Sequence, residues 1–135
     1  MKYKHLYEQA KTAYIHAYAP YSKFHVGAAL KLKNGTVITG ANIENASFGL
    51  TNCAERSALF AAYSQGIRKE DIEGILVTGN TTQPISPCGA CRQVMSELML
   101  PNAFVLLTNL EGKELELTVK DLLPYAFTEG DLTNE

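Results

Sequence analysis

Cys53, Cys88 and Cys91 are the three cysteines of this 135-residue chain, and their spacing bounds the chemistry within its reach. Cys88 and Cys91 form a Cys-x-x-Cys pair in Ser86-Pro87-Cys88-Gly89-Ala90-Cys91, while Cys53 opens Cys53-Ala54-Glu55-Arg56 far upstream. A pair plus one distant cysteine offers three soft ligands, one short of a closed structural zinc site. A catalytic zinc takes three protein ligands and leaves the fourth position to water. Glu55, two residues after the lone cysteine, is placed to move protons for such a water. Three other readings compete. A thioredoxin-like redox pair has no use for a third cysteine. A structural zinc completed by histidine would need His5, His16 or His25, which all lie in the N-terminal segment without ligand-like spacing. Three inert core cysteines are the bland alternative. Against it, Ser86 is a good helix N-cap and Pro87 suits the first helical position, so both pair members are expected in one first turn, on one face. Thiolates at a helix N-terminus meet backbone N–H donors and a favourable dipole.

The elements that must carry these residues are legible in outline. Leu6, Ala10, Ala13, Tyr14 and Ala17 recur on one face of a predicted helix over residues 3–18, ended by Ala19-Pro20-Tyr21-Ser22. Strand-like runs over 25–33 and 36–41 flank Asn34-Gly35, a hairpin signal whose favoured two-residue turn needs positive φ at both positions. An alanine-rich helix over 53–65 is closed by Gly66. A strand over 72–78, a helix over 87–100 stopped by Pro101, and strands over 103–108 and 114–117 follow, with a short helix over 119–123. Strands alternating with helices in the second half imply parallel pairing, and the hairpin implies antiparallel pairing at the start. The expected fold class is α/β: a three-layer α/β/α sandwich around a mixed five-stranded sheet, in which the helix N-termini at Cys53 and Cys88 must meet.

Length and composition bound the function classes. The chain is expected to form a single domain over 1–135, large enough to bury about two-thirds of its unfolded surface. Residues 128–135 read as a frayed tail. A hydrophobic content of 46% with 19% charged residues describes an ordinary soluble globular protein. The formal net charge is −2 with no run of Lys or Arg, which speaks against a nucleic-acid partner. No stretch approaches a membrane span, and Met1-Lys2-Tyr3-Lys4-His5 has no signal-peptide core. An odd number of cysteines, all assignable to a metal, fits a reducing cytoplasm.

Glu55 has a structural role to weigh beside the chemical one. Asn52-x-x-Glu55 reads as a capping box, with the Glu side chain returning to the Asn52 N–H. A regular helix would also turn residues 53 and 55 about 200° apart, so a shared site requires Cys53 at the irregular edge of its helix. Asn42 and Glu44 read on pattern alone as a solvated turn as readily as a binding pair, and Phe24 as a core aromatic.

From Ala19-Pro20-Tyr21-Ser22-Lys23-Phe24 to Leu122-Leu123-Pro124 the chain resembles the short, all-cysteine cytidine deaminases that act on free nucleosides. Its cysteine pattern is similar to the zinc-deaminase signature His-x-Glu…Pro-Cys-x-x-Cys, with cysteine in place of the histidine. The resemblance implies that Cys53, Cys88 and Cys91 bind Zn2+ and that Glu55 is the catalytic proton shuttle. It implies that Phe24, Asn42, Glu44 and Ala54 contact the nucleoside, an amide and a carboxylate together serving a ribose hydroxyl as donor and acceptor. It further implies a homotetramer with shared sites, where Phe127 packs over the pyrimidine of a neighbouring subunit. Phe48 stands where many relatives carry tyrosine, so any hydrogen bond from that hydroxyl is absent. The implied reaction is hydrolytic deamination of cytidine and 2′-deoxycytidine, in pyrimidine salvage, with no organic cofactor. Three thiolates against one dication leave a formal −1, and Arg56 is placed to offset it. The rival readings are a zinc deaminase for another aminopyrimidine nucleoside or a nucleic-acid base, and a zinc-stabilised binding module.

Overall fold

A computed structural model describes residues 1–133 of the chain. Among them five strands form one mixed sheet in the order β2-β1-β3-β4-β5: β1 (Val26–Leu32), β2 (Val37–Ala41), β3 (Ile72–Gly79), β4 (Phe104–Thr108) and β5 (Glu114–Thr118). Helix α1 (Lys4–Ile15) covers one face; α2 (Ala54–Ser64), α3 (Gly89–Leu98) and the short α4 (Val119–Leu122) lie on the other. The strands record this two-sided burial directly. Ala28, Leu30, Ile75, Val77, Val105 and Leu107 pack under α2 and α3, and the alternate residues Ala29, Leu76 and Leu106 pack under α1 with Leu6, Tyr7 and Ala10. Near-continuous apolar runs are what a sheet covered on both faces requires. The expected α/β/α sandwich is the observed fold.

Pairing is less parallel than the alternation of strands and helices suggested. β1 is antiparallel to both β2 and β3, β4 is antiparallel to β5, and β3–β4, joined through α3, is the parallel pair among the described residues. The crossover through α2 carries the chain from β2 over β1, so the two strands it joins run in one direction with β1 between them.

Four local expectations are corrected. Helix α1 stops at Ile15 because Tyr18 is recruited elsewhere: its N–H donates to Asn42 O (2.9 Å) and its carbonyl accepts from Glu44 N (2.8 Å). At the hairpin tip only Gly35 has positive φ (92°), and Leu32 N bonds Thr36 O at 2.9 Å. The loop is thus Lys33-Asn34-Gly35, three residues rather than two. Helix α3 starts two residues later than expected, with Cys88 instead of Ser86 as its N-cap. The tail forms a short helix, α5 (Glu129–Thr133), where Thr128 N donates to Asp131 Oδ2 at 2.8 Å; residues 134–135 lie outside the described residues.

Gly40 fixes how closely α2 approaches the sheet. A Cβ there would sit 2.5 Å from Ala58 N and 2.6 Å from Ala54 O. No side chain fits between this strand and the first turns of the helix that carries Cys53 and Glu55.

Candidate active site and metal centre

The site forms where the start of β1 meets the ends of β2 and β3, since Val26 pairs with Gly79 and Gly27 with Ala41. The N-termini of α2 and α3 converge on this end of the sheet. Cys53 is the N-cap of α2 with extended backbone (φ −76°, ψ 159°), and Cys88 caps α3 in the same way (φ −68°, ψ 166°). Cys91 lies buried in the first turn of α3. All three are free cysteines and their sulfurs lie within 4.8 Å of one another, with Cys53 Sγ and Cys88 Sγ 3.9 Å apart. Tetrahedral zinc with sulfur at about 2.3 Å needs sulfurs separated by about 3.8 Å. The donor set therefore fits zinc in softness, number and spacing.

Positive partners surround the sulfurs. Arg56 Nη2 donates to Cys53 Sγ at 3.2 Å, and the Cys91 N–H donates to Cys88 Sγ at 3.5 Å. Arg56 Nε is buried without a partner among the described residues. In the absence of a dication the thiols share their charge unequally. A hydrogen bond from Cys91, aided by Arg56, brings Cys53 down to about 5. The same Cys91–Cys53 bond, with burial, holds Cys91 well above the ordinary thiol range. The bond to Cys53 also raises the Arg56 guanidinium, which stays charged.

Glu55 is 4% exposed. Burial pushes its carboxyl up to about 7, and the negative charge on Cys53 adds to the rise; a dication among the sulfurs acts in the opposite sense. The capping box does not form. The Asn52 N–H donates to Ile43 O at 2.9 Å, and Cys53, not Asn52, caps the helix. With Cys53 extended as the N-cap, its carbonyl accepting from Ser57 N at 2.9 Å, its side chain and that of Glu55 reach the same cleft despite their spacing.

That cleft encloses about 390 Å³. Cys53, Ala54, Glu55 and Cys88 line it together with Phe24, Asn42 and Glu44. Asn42 and Glu44 are not a solvated turn. Asn42 Oδ1 accepts from Val26 N and its Nδ2 donates to Phe24 O, both at 2.8 Å. Glu44 Oε1 accepts from Tyr21 N and Ser22 N at 3.0 Å, and the Ser22 hydroxyl donates to its other oxygen. These bonds hold the Glu44 carboxyl below its ordinary range, the Ser22 hydroxyl contributing most. Both side chains thus brace the 21–26 loop at the cleft, and each keeps spare capacity, one amide hydrogen on Asn42 and free lone pairs on Glu44.

Two expected residues lie elsewhere. Phe127 is 57% exposed and stands outside the cleft of its own chain, its carbonyl accepting from Gln93 Nε2 at 2.9 Å. Phe48 is 80% exposed and borders a second recess of about 350 Å³, which shares Ser22, Glu44 and Thr51 with the first. Sequence reasoning assigned no site role to Ser22, Val26, Thr51, Thr81, Ile85 or Ser86, which also line the cleft. Ser22, in the quoted 19–24 segment, and Ser86, two residues before Cys88, carried a signal. Among the described residues no helix is long and apolar enough to cross a membrane.

Comparison with known proteins agrees with this geometry. The sequence profile described as "Cytidine and deoxycytidylate deaminase zinc-binding region" matches residues 1–107. A cytidine deaminase from Halalkalibacterium halodurans is 59% identical over 118 residues, covering 87% of this chain and 88% of that protein. One from Sporosarcina psychrophila is 48% identical over 133 residues, covering 98% and 96%. The 1.6 Å crystal structure of cytidine deaminase from Burkholderia pseudomallei superposes with a TM-score of 0.91 at 54% identity, covering 94% of this chain and all of that one. The chain belongs to the cytidine deaminase family of hydrolytic deaminases, and the three converging cysteines are its candidate metal centre.

Proposed function

We propose that the protein hydrolyses cytidine and 2′-deoxycytidine to uridine and 2′-deoxyuridine with release of ammonia, using Zn2+ held by Cys53, Cys88 and Cys91. The observation that carries this reading is a buried carboxyl, Glu55, beside three converging sulfurs in a nucleoside-sized cleft. Cys53, Cys88 and Cys91 would hold the Zn2+, which would supply Lewis acidity and lower the pKa of a bound water. Glu55 takes a proton from the attacking water and delivers it to N3 of the pyrimidine as oxygen adds to C4. It then carries the second proton to the amino group, which leaves as ammonia. A carboxyl near 7 in the metal-free site, lowered by a neighbouring dication, suits a group that must both accept and release protons near neutrality. Arg56 offsets thiolate charge through Cys53 Sγ. Phe24, Asn42, Glu44 and Ala54 hold the nucleoside.

The same reading makes the working unit a homotetramer in the cytoplasm, serving pyrimidine salvage. Phe127, exposed and outside the lining of its own cleft, then closes a neighbouring subunit's site, and Phe48 faces the subunit boundary without the hydroxyl of a tyrosine. Turnover assays on cytidine, 2′-deoxycytidine, cytosine, adenosine and single-stranded DNA, with zinc stoichiometry on the same preparation, test the proposal. Zinc near one per chain and turnover confined to the two cytosine nucleosides are expected; a metal-free active protein, or a preference for DNA, overturns it. A monomer at micromolar concentration with full activity contradicts the shared site.

A further inference from the structure

Arg92 occupies a position whose electrostatics disfavour it. It is the fourth residue of α3, where a cation opposes the helix dipole, so its presence there calls for another reason. Its guanidinium turns back over the helix start and uses three nitrogens on three acceptors. Nε donates to Pro87 O (2.9 Å), Nη2 to Ser86 Oγ (2.7 Å) and Nη1 to Leu122 O (2.9 Å), at the end of α4. Two of these acceptors belong to the residues that immediately precede Cys88.

Those residues need an external hold. Cys88 is the most exposed of the three cysteines and has extended backbone; as the N-cap it joins the helix through its carbonyl, which accepts from Arg92 N at 3.0 Å. Pro87 has no N–H to offer. On the sheet side the nearest backbone tie is Ile85 N to Thr108 O at 3.0 Å, three residues before the sulfur ligand. We propose that Arg92 is a positioning residue: its fork fixes the 86–88 backbone so that Cys88 is presented to the metal, and keys that backbone to the end of α4. The inference rests on the reading of the three cysteines as a zinc centre. Lysine cannot substitute, because one ammonium cannot reach three acceptors set in a planar fork's directions.

The test is zinc release from the loaded protein into excess chromophoric chelator, for the parent, Arg92→Lys, Arg92→Met and Tyr63→Phe. Tyr63→Phe removes the hydroxyl bond to Leu98 O (2.9 Å) at the far end of the same helix, so it loosens α3 without touching the 86–88 segment. Groups that orient metal ligands typically change affinity about 10–100-fold when removed. Both Arg92 variants are expected to release zinc about tenfold or more faster than the parent, with Tyr63→Phe at the parent rate. Cobalt-substituted Arg92→Lys should show shifted thiolate charge-transfer bands. Arg92→Lys keeps stem and charge, so it decides the matter even where Met prevents folding. Release at the parent rate in Arg92→Lys assigns Arg92 to charge alone and overturns the inference. Equal acceleration in Tyr63→Phe reduces it to general loosening of α3 and overturns it too. A parent protein that holds no zinc overturns the metal-centre reading itself.

Discussion

Replacing Glu55 with glutamine separates proton transfer from every structural use of this side chain. Glutamine is nearly isosteric, and it cannot carry the protons that the proposed mechanism assigns to Glu55. General acid–base catalysis contributes about 10²–10⁴-fold, or roughly 3–5.5 kcal/mol. One carboxylate serving successive transfers places the expected loss of cytidine turnover at the upper end or beyond. Stability should move the other way. The side chain is buried and makes no cap, since Asn52 N is already bonded to Ile43 O. In the metal-free protein burial raises its carboxyl from 4.5 to about 7, which sets on the order of 3 kcal/mol against the ionised form. The folded value lies above the unfolded one, so this cost is absent below pH 4.5, grows from there, and is complete above about 7. Metal-free parent protein should therefore lose stability between pH 5 and 8 relative to Glu55→Gln, while the zinc content of the two loaded proteins stays equal. Calorimetric melting of both metal-free proteins at the two pH values, zinc stoichiometry and cytidine turnover read all three effects. A variant that melts early yet turns over cytidine within about tenfold of the parent would return Glu55 to a structural role.

On the proposed mechanism, Arg56→Ala would leave more negative charge on Cys53 Sγ and make the zinc-bound water less acidic. Turnover should slow and the rising limb of the pH–rate profile should move to higher pH, and an unchanged profile counts against the charge-offset role. Gly40→Ala sets a Cβ against backbone atoms of α2 at 2.5–2.6 Å; urea unfolding should show a loss of about 2 kcal/mol or more, and an unaffected midpoint refutes the close-approach argument. The Glu44 carboxyl, held down by Ser22 and Tyr21, contributes stability above its ordinary pKa that is lost as pH falls through its lowered folded value. Glu44→Gln should remove that acid-limb dependence, as followed by carboxyl NMR titration and melting below pH 5.

What the sequence made legible were features whose physics is local. The Cys88-x-x-Cys91 pair at the start of α3, Gly66 at the end of α2 and Pro101 after α3 each act within a few residues, and the structure has them where expected. The errors came where distant partners compete for one residue. Tyr18 looked helical until Asn42 and Glu44 claimed its backbone. Asn52 looked like a cap until Ile43 took its N–H, and Ser86 looked like a cap although its hydroxyl accepts from Arg92. Thr81, Ile85 and Arg92 carry no local pattern at all, because their places follow from how β3, β4 and α4 pack around α3.

The substitution of cysteine for the usual cap residues connects fold to chemistry. A cap residue is extended, so its side chain is released from the 100° step that governs residues inside the helix. Cys53 and Cys88 can thereby aim at one point from two helices, and Glu55 can join them although it lies only two positions from Cys53. The same position places each sulfur where unpaired N–H groups and the positive end of the helix dipole favour a thiolate. Cys91 N on Cys88 Sγ is that interaction seen directly. A dipole of this kind is worth about 0.3–1 kcal/mol at an exposed end and up to about 2 where partly buried, too little to hold three thiolates together. Three thiolates together would need a dication among the sulfurs beside the guanidinium on Cys53; without one, Cys91 is held as a thiol. Glu55 shows the limit of the same field. It lies in the first turn of α2, where the dipole favours an anion, yet burial and the neighbouring thiolate prevail in the metal-free protein and hold its carboxyl near 7. Strong positive charge arriving at the sulfurs must therefore lower it. Metal binding and the readiness of Glu55 to accept a proton are coupled by Coulomb's law, through residues adjacent in sequence.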